Sequence, residues 1–391
     1  MLGNFFEYFL ATGSNDGRLA VLGATSGDTG SAAIYGLRGK KGVDCIILYP
    51  AGRVSEIQER QMTTVRDDNI HCVAIAGGTF DDCQDIVKAS FNDAAFRDSV
   101  SLGAVNSINW CRVLAQTTYY FWSYLRITDM EKNVTKVNFS VPTGNFGDIL
   151  AGYYAKRMGL PVGDLIVATN ENDILHRFFT KGEYHRENIR ETISPSMDIC
   201  VSSNFERYLY HLAGDDATTL ASWMSAFEST GRLTITGKRL DEARCDFKSA
   251  KADTATTLET IRRYHDEFDY MLCPHTAVGV SAVHQLHTAN TATVCLATAH
   301  FGKFGDACLK AVDPLPKLPR ELSVLWNLKP RSSECPNDVK VVQAFMERRI
   351  AERVASHERR DERRAQIKKL VLISATVSFV AVVISSIRRR K

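Results

Sequence analysis

KVNFSVPTGNFGDILAGYYAKRMG, residues Lys136–Gly159, is the stretch whose reading decides the fold. The apolar run Val137–Val141 is broken by Pro142. The short loop Thr143-Gly144-Asn145-Phe146-Gly147 then opens into a helical pattern from about Asp148. Strand, glycine loop and helix in that order present backbone N–H groups and the positive end of a helix dipole to an anion such as phosphate. Glycine belongs there because a residue without Cβ lets the backbone come close to the ligand. The loop matches neither GxxxxGKS/T nor GxGxxG, so the usual nucleotide readings fail. The plain alternative is an ordinary strand-to-helix turn.

Working outward, residues 18–311 alternate short apolar runs with longer helical patterns. The runs predict strands at Leu19–Leu22, Asp44–Tyr49, His71–Ile75, Val137–Val141, Leu165–Thr169, Tyr270–Leu272 and Thr293–Ala297. Helices are predicted at Arg53–Arg66, Asp81–Phe91, Arg112–Tyr124, Ile149–Met158 and Thr254–Phe268. Strands separated by helices imply an α/β fold with parallel sheets covered on both faces. Ligands of such sheets sit at the carboxyl ends of the strands. A polar stretch near Ile127–Asn133 divides a first lobe, residues 1–128, from a second, residues 129–313.

A chain of 391 residues has room for two domains, and a net charge of +3 excludes a strongly basic nucleic-acid binder. Its ten cysteines form no CxxC pair. That pattern suits isolated thiols in a reducing compartment, the cytoplasm, rather than a disulfide frame or a metal site. Met1–Leu10 lacks a basic n-region and reads as part of a helix, so no secretory signal is expected and the beginning looks cut. Beyond Asp313 the prolines at 314, 316, 319, 330 and 336 mark a linker over residues 314–339. Residues 340–369 hold ten Lys/Arg against five Asp/Glu, with Val342, Phe345, Met346, Ile350 and Val354 forming a sparse helical stripe. Residues 370–387 are uncharged and end in Arg388-Arg389-Arg390-Lys391, a pattern that reads as a short transmembrane segment or tail anchor.

Three further loops offer polar groups. After the first strand, Ala24, Thr25, Ser26, Gly27, Asp28 and Thr29 precede a helix beginning near Gly30, and hydroxyls with backbone N–H groups there suit a carboxylate or phosphate. Asp28 as a simple helix cap is the alternative. After the last strand comes Thr298-Ala299-His300. A hydroxyl in that position suits a heteroaromatic ring nitrogen, while His300 is more commonly structural than a base. Asn106-Ser107-Ile108-Asn109-Trp110-Cys111-Arg112 precedes a helix, and Arg112 suits an oxyanion or a surface ion pair.

The stretches VLGATSGDTGSAAIYGLRGK, NSINWCRVLAQ, VPTGNFGDILAGYYAKRMGLP, ATNENDILHRFF, SPSMDICVSSNFERYLYHL and LATAH resemble threonine synthase, in order, over roughly residues 2–312. The resemblance implies a fold type II pyridoxal 5'-phosphate enzyme of two lobes, here followed by a helical C-terminal tail. The activity implied is a carbon–oxygen lyase reaction on a phosphate ester: O-phosphohomoserine and water give threonine and phosphate. It implies that Gly144, Asn145, Phe146 and Asp148 hold the cofactor phosphate and that Thr298 bonds the pyridine nitrogen. Ser26, Gly27, Asp28 and Thr29 would grip the substrate carboxylate, and Asn106, Ser107 and Arg112 would face its phosphate.

Three departures stand beside the resemblance. The family carries its Schiff-base lysine in an FKD motif just ahead of the helix that LGNFFEYFL resembles, so an N-terminal fragment without a catalytic lysine is expected. Lys40 and Lys41 follow GLRG in another motif and do not stand in for it. Phe301-Gly302 replaces the family's Pro-Ala after TAH, and the C-terminal tail has no family counterpart. Two other readings remain. One is a non-catalytic, membrane-tethered protein that binds pyridoxal phosphate or phosphate. The other is a dehydratase or cysteine synthase of the same fold type, whose phosphate loop would be glycine-only.

Overall fold

A computed structural model describes the chain except for residues 14–16, 26, 287–290 and 389–391 and the side chains of 357, 358, 361, 365 and 368–388. In chain order the strands are β1 (Leu19–Ala24), β2 (Val43–Pro50), β3 (Ile70–Ala76), β4 (Leu102–Ala104), β5 (Val137–Pro142), β6 (Val162–Thr169), β7 (Glu183–His185), β8 (Arg232–Thr234), β9 (Phe247–Lys251), β10 (Thr293–Cys295) and β11 (Ser333–Pro336). Nine of them build two parallel sheets covered by helices, as the alternating pattern predicts, and each of these sheets belongs to its own compact unit.

One unit comprises residues 3–54, 65–104 and 330–391, with strand order β11-β3-β2-β1-β4, every pair parallel. β2 is buried along its whole length, which is why Cys45–Tyr49 reads as a continuous rather than alternating apolar run. Its core includes Leu22, Ile46, Val73, Ile75 and Phe96 together with Val342, Phe345 and Met346 from the helix Val339–Arg388. The sparse stripe in the tail is therefore a packing face. Arg353 of the same helix forms a buried ion pair with Asp44 of β2, Nη2 to Oδ2 at 2.6 Å. Strand β11 has no apolar run of its own, and its place is set by pairing with β3. Among the described residues no helix is long and apolar enough to cross a membrane. The side chains expected to form a membrane segment, at 370–387, lie outside the described ones.

The other unit comprises residues 1–2, 55–64 and 105–329, with the parallel order β10-β5-β6-β9 and an antiparallel pair β7-β8. Its largest core gathers Phe139, Phe146, Phe178, Phe205, Tyr208 and Phe247 around the sheet. The helix Trp110–Met130 packs closely on the helix Gly147–Arg157: a Cβ on Gly152 would lie 2.5 Å from Cε1 of Tyr120. The predicted helix Thr254–Phe268 has those bounds. The strand predicted at Tyr270–Leu272 is not one. Asp269, in the left-handed region at φ 51°, ends that helix, and the run connects it to the helix Pro274–Gln285, with Leu272 buried against Ile261 and Val280. A short apolar run cannot be told from a buried connector by pattern alone.

Candidate active site

Parallel pairing sets two of the candidate loops side by side. Ser140 of β5 is in register with Cys295 of β10, and the N–H of Leu296 donates to the Ser140 carbonyl at 3.0 Å. The loop after Pro142 and the loop through Thr298 thus leave adjacent strands at their carboxyl ends.

Thr143 still belongs to the sheet. Its N–H donates to the Ala168 carbonyl at 2.8 Å and its hydroxyl to the Val141 carbonyl at 2.6 Å. From Gly144 to Ile149 the backbone N–H groups have no hydrogen-bond partner among the described residues, and Leu150, bonded to the Phe146 carbonyl at 3.1 Å, is the first in the following helix to have one. Phe146 is left-handed at φ 60° and its ring is 1% exposed, against Phe205 at 5.1 Å and Phe247 at 5.3 Å. That backbone conformation costs roughly 1 kcal/mol, and burying the ring returns roughly 2 kcal/mol. Gly144 is required because a Cβ there would meet Met197 Cα and the Ser196 carbonyl, both at 3.2 Å. A run of unpaired N–H groups at a helix start, free of side chains, fits a phosphate.

The loop is braced by residues the sequence reading did not single out. Ser202 Oγ donates to the Gly144 carbonyl at 2.8 Å, and Ser203 Oγ to Asn145 Oδ1 at 3.1 Å. Asn204 Nδ2 donates to the Asn145 carbonyl at 2.9 Å and to the Ser107 carbonyl at 3.0 Å. Ser107 Oγ lies 3.3 Å from Ser203 Oγ, so the predicted Asn145 and Ser107 are brought together through Ser203 and Asn204. Their signal in the sequence is the polar run Ser202-Ser203-Asn204 ahead of the amphipathic helix Phe205–Leu212.

Other predicted residues divide by role. Asn106 Oδ1 accepts the Ile108 N–H at 3.1 Å, and Asn109 caps the helix Trp110–Met130 through the Cys111 N–H at 2.9 Å. Arg112 is no surface ion pair: its Nη1 is buried with no partner among the described residues, and burial lowers its pKa. A guanidinium so placed is short of an acceptor, as an oxyanion-binding residue would be. The carboxyl of Asp148 accepts from Tyr120 Oη at 3.2 Å, and burial raises it to about 6. Thr298 is exposed in its loop. The Nδ1 of His300 accepts the Gly302 N–H at 3.0 Å and caps the turn Phe301–Lys303, so His300 has the structural role. A Cβ on Gly302 would lie 2.4 Å from Leu318, so the Phe-Gly pair matches the packing of the following linker.

The remaining loop belongs to the unit of residues 3–54 and is described within it. Ser26 lies outside the described residues. Thr25 Oγ1 accepts the N–H groups of Gly27 and Gly30, both at 2.9 Å, so Thr25 makes the cap that the sequence offered to Asp28. Gly27 at φ 142° precedes the helix Asp28–Leu37, in whose first turn Asp28 and Thr29 are half-buried.

Comparison with known proteins accords with this geometry. The family described as pyridoxal-phosphate dependent enzyme matches residues 4–298, and the family described as threonine synthase, C-terminal, matches 276–346. The chain is 48% identical over 337 residues to a threonine synthase of Schizosaccharomyces pombe, covering 78% of this chain and 65% of that one. It is 46% identical over 382 residues to that of Saccharomyces cerevisiae, covering 90% and 74%. The crystal structure of pyridoxal-phosphate-bound threonine synthase from Brucella melitensis is similar at a TM-score of 0.85 and 42% identity, covering 89% of this chain and 74% of that one. The chain thus spans about two thirds to three quarters of the length of these relatives. Identity of this extent, on a fold that superposes over the same span, makes the chain a member of the threonine synthase family of pyridoxal-phosphate-dependent enzymes.

Proposed function

We propose that the chain carries the cofactor and substrate sites of a threonine synthase, a lyase that converts O-phosphohomoserine and water to threonine and phosphate. The observation that supports this most is the run of unpaired N–H groups from Gly144 to Ile149, one strand away from Thr298. Pyridoxal phosphate, when bound, supplies an electron sink for carbanions at the substrate Cα and then Cβ.

In this reading the backbone of Gly144, Asn145 and Phe146 and the start of the following helix hold the cofactor phosphate. Phe146 contributes its N–H while its ring serves the core. Asp148 holds the loop through Tyr120 rather than meeting the anion with a charge. The Thr298 hydroxyl orients the pyridine nitrogen and leaves it unprotonated. Arg112 takes the substrate phosphate, with Ser107 and Asn106 at its side, and Ser26 to Thr29 take the carboxylate.

The reading is tested by expressing protein from the complete transcript, titrating it with pyridoxal phosphate, and assaying phosphate and threonine from O-phosphohomoserine with serine as the alternative substrate. Turnover of O-phosphohomoserine alone is expected. Turnover of serine alone would overturn it in favour of a dehydratase-like activity. For the tail we propose membrane apposition through residues 370–387, a reading that rests on sequence alone: an uncharged stretch ending in a basic cluster. Release of the protein by carbonate extraction would remove it.

A further inference from the structure

At the amino-terminal edge of the five-stranded sheet lies a polar cavity of about 310 Å³. Its walls come from the start of β3, the residues leading into β11 and one face of the tail helix. The strands are parallel, so the cavity lies at the opposite end of this sheet from the loop Thr25–Thr29. We propose that it is a second anion site, built for a phosphate or phosphomonoester dianion.

The charges converge. Arg331, Arg349, Arg353 and Arg360 line the cavity against two carboxylates, Asp68 and Glu352, and with Asp44 behind Arg353 counted the guanidinium groups still outnumber the carboxylates four to three. Arg349, Arg353, Ser356 and Arg360 are spaced at i, i+4, i+7 and i+11, so a single helix face presents them. Asp44, behind the wall, is bound by Arg353 through Nε and Nη2. Arg331 Nη2 is spent on the carbonyls of Asp67 at 2.7 Å and Ile70 at 3.1 Å, while its Nε and Nη1 make no bond among the described residues.

Arg349 gives Nη1 to Glu352 at 3.1 Å, and its Nε is buried with no partner. Arg360 reaches Asp68 at 3.4 Å, and both groups are more than half exposed. Guanidinium donors left over after every carboxylate is paired are short of acceptors, and a tetrahedral dianion supplies several at once. The hydroxyls of Ser332, Ser333 and Ser356 complete the lining. The matched threonine synthase C-terminal family ends at residue 346, so three of the four arginines lie beyond it.

The test is arginine modification by phenylglyoxal, read residue by residue by peptide mass spectrometry on the full chain, with exposed Arg126 of the other unit as internal reference. Two probes are compared at fixed ionic strength: inorganic phosphate, and phosphatidylcholine vesicles with or without phosphatidylinositol 4-phosphate. Either probe is expected to slow modification of Arg349 and Arg360 about tenfold relative to Arg126. Protection by phosphate assigns a soluble source, and protection only by the phosphoinositide vesicles assigns a lipid headgroup. Arg360→Gln, at an exposed position, is expected to abolish protection at Arg349 without moving the thermal midpoint. Equal rates with and without both probes, or equal protection by sodium chloride or acetate, would overturn the proposal.

Discussion

The phenol of Tyr120 reaches Asp148 twice, with Oη 2.8 Å from its carbonyl oxygen and 3.2 Å from Oδ1. The hydroxyl donates to one oxygen at a time, and burial raises the carboxyl to about 6. An unfolded aspartate titrates near 3.9, so folding favours the protonated form. Its stabilising contribution is complete below about pH 4 and is lost as pH rises through about 6, a loss of roughly 2 kcal/mol or less for a half-buried group. Urea unfolding of Asp148→Asn should show a flatter dependence between pH 4 and 7 than the parent. Identical slopes would refute the raised carboxyl.

Gly152 is where Tyr120 and the neighbouring helix touch. A methyl group there would lie 2.5 Å from Cε1 and 2.7 Å from Cζ of a ring with no exposed surface. Gly152→Ala is expected to lose about 1–3 kcal/mol from overpacking, more than the roughly 1 kcal/mol that alanine returns in helix propensity. Chemical denaturation checks it, and a stabilised variant would show that the two helices can part.

Asn204 ties together two loops from distant parts of the chain. Asn204→Ala removes the donor to the Ser107 and Asn145 carbonyls, at a cost of about 1–3 kcal/mol in stability. Cofactor affinity, followed by pyridoxal-phosphate fluorescence, should fall about tenfold. Asn204→Asp, the same size without the donor, should behave alike. Unchanged affinity in both would separate the brace from the proposed cofactor site.

Arg112 should show stability and activity moving apart. Arg112→Met replaces a buried guanidinium short of an acceptor, so unfolding free energy should stay level or rise by about 1 kcal/mol. The KM for O-phosphohomoserine should rise about a hundredfold, the loss of a charge-assisted pair worth about 2–3 kcal/mol. A normal KM would remove Arg112 from the substrate phosphate.

Met346 has no exposed surface in the core of the five-stranded sheet unit. Met346→Ala should therefore cost about 2–5 kcal/mol, measured by urea unfolding. A loss under 1 kcal/mol would mean that the tail helix is only loosely held.

What could be read from the sequence follows how local the determining contacts are. β2 shows in the apolar run Cys45–Tyr49, the helix Thr254–Phe268 in its 3.6-residue periodicity, and the packing face of the tail helix in Val342, Phe345 and Met346. The strand–loop–helix unit around Gly144 was legible because strand, glycines and helix are contiguous. Ser203 and Asn204 were not, since their partners Asn145 and Ser107 lie far away in sequence and a short polar run looks like any loop. β11 escaped for the same reason: its pairing with β3 joins residues more than two hundred positions apart. In the loop after β1 the sequence offers Asp28 as an alternative helix cap, whereas Thr25 accepts the N–H groups, because cap preference alone does not fix which oxygen turns back.

Phe146 places the middle of the loop after β5 inside the aromatic core. The loop therefore takes its shape when the chain folds, and under the proposed function an anion would find no disordered segment to immobilise. The ring of Phe146 is held by Phe179 at 6.2 Å and Phe247 at 5.3 Å, neither of them on the loop, so a change of volume at either position would be expected to reach the N–H groups beside it.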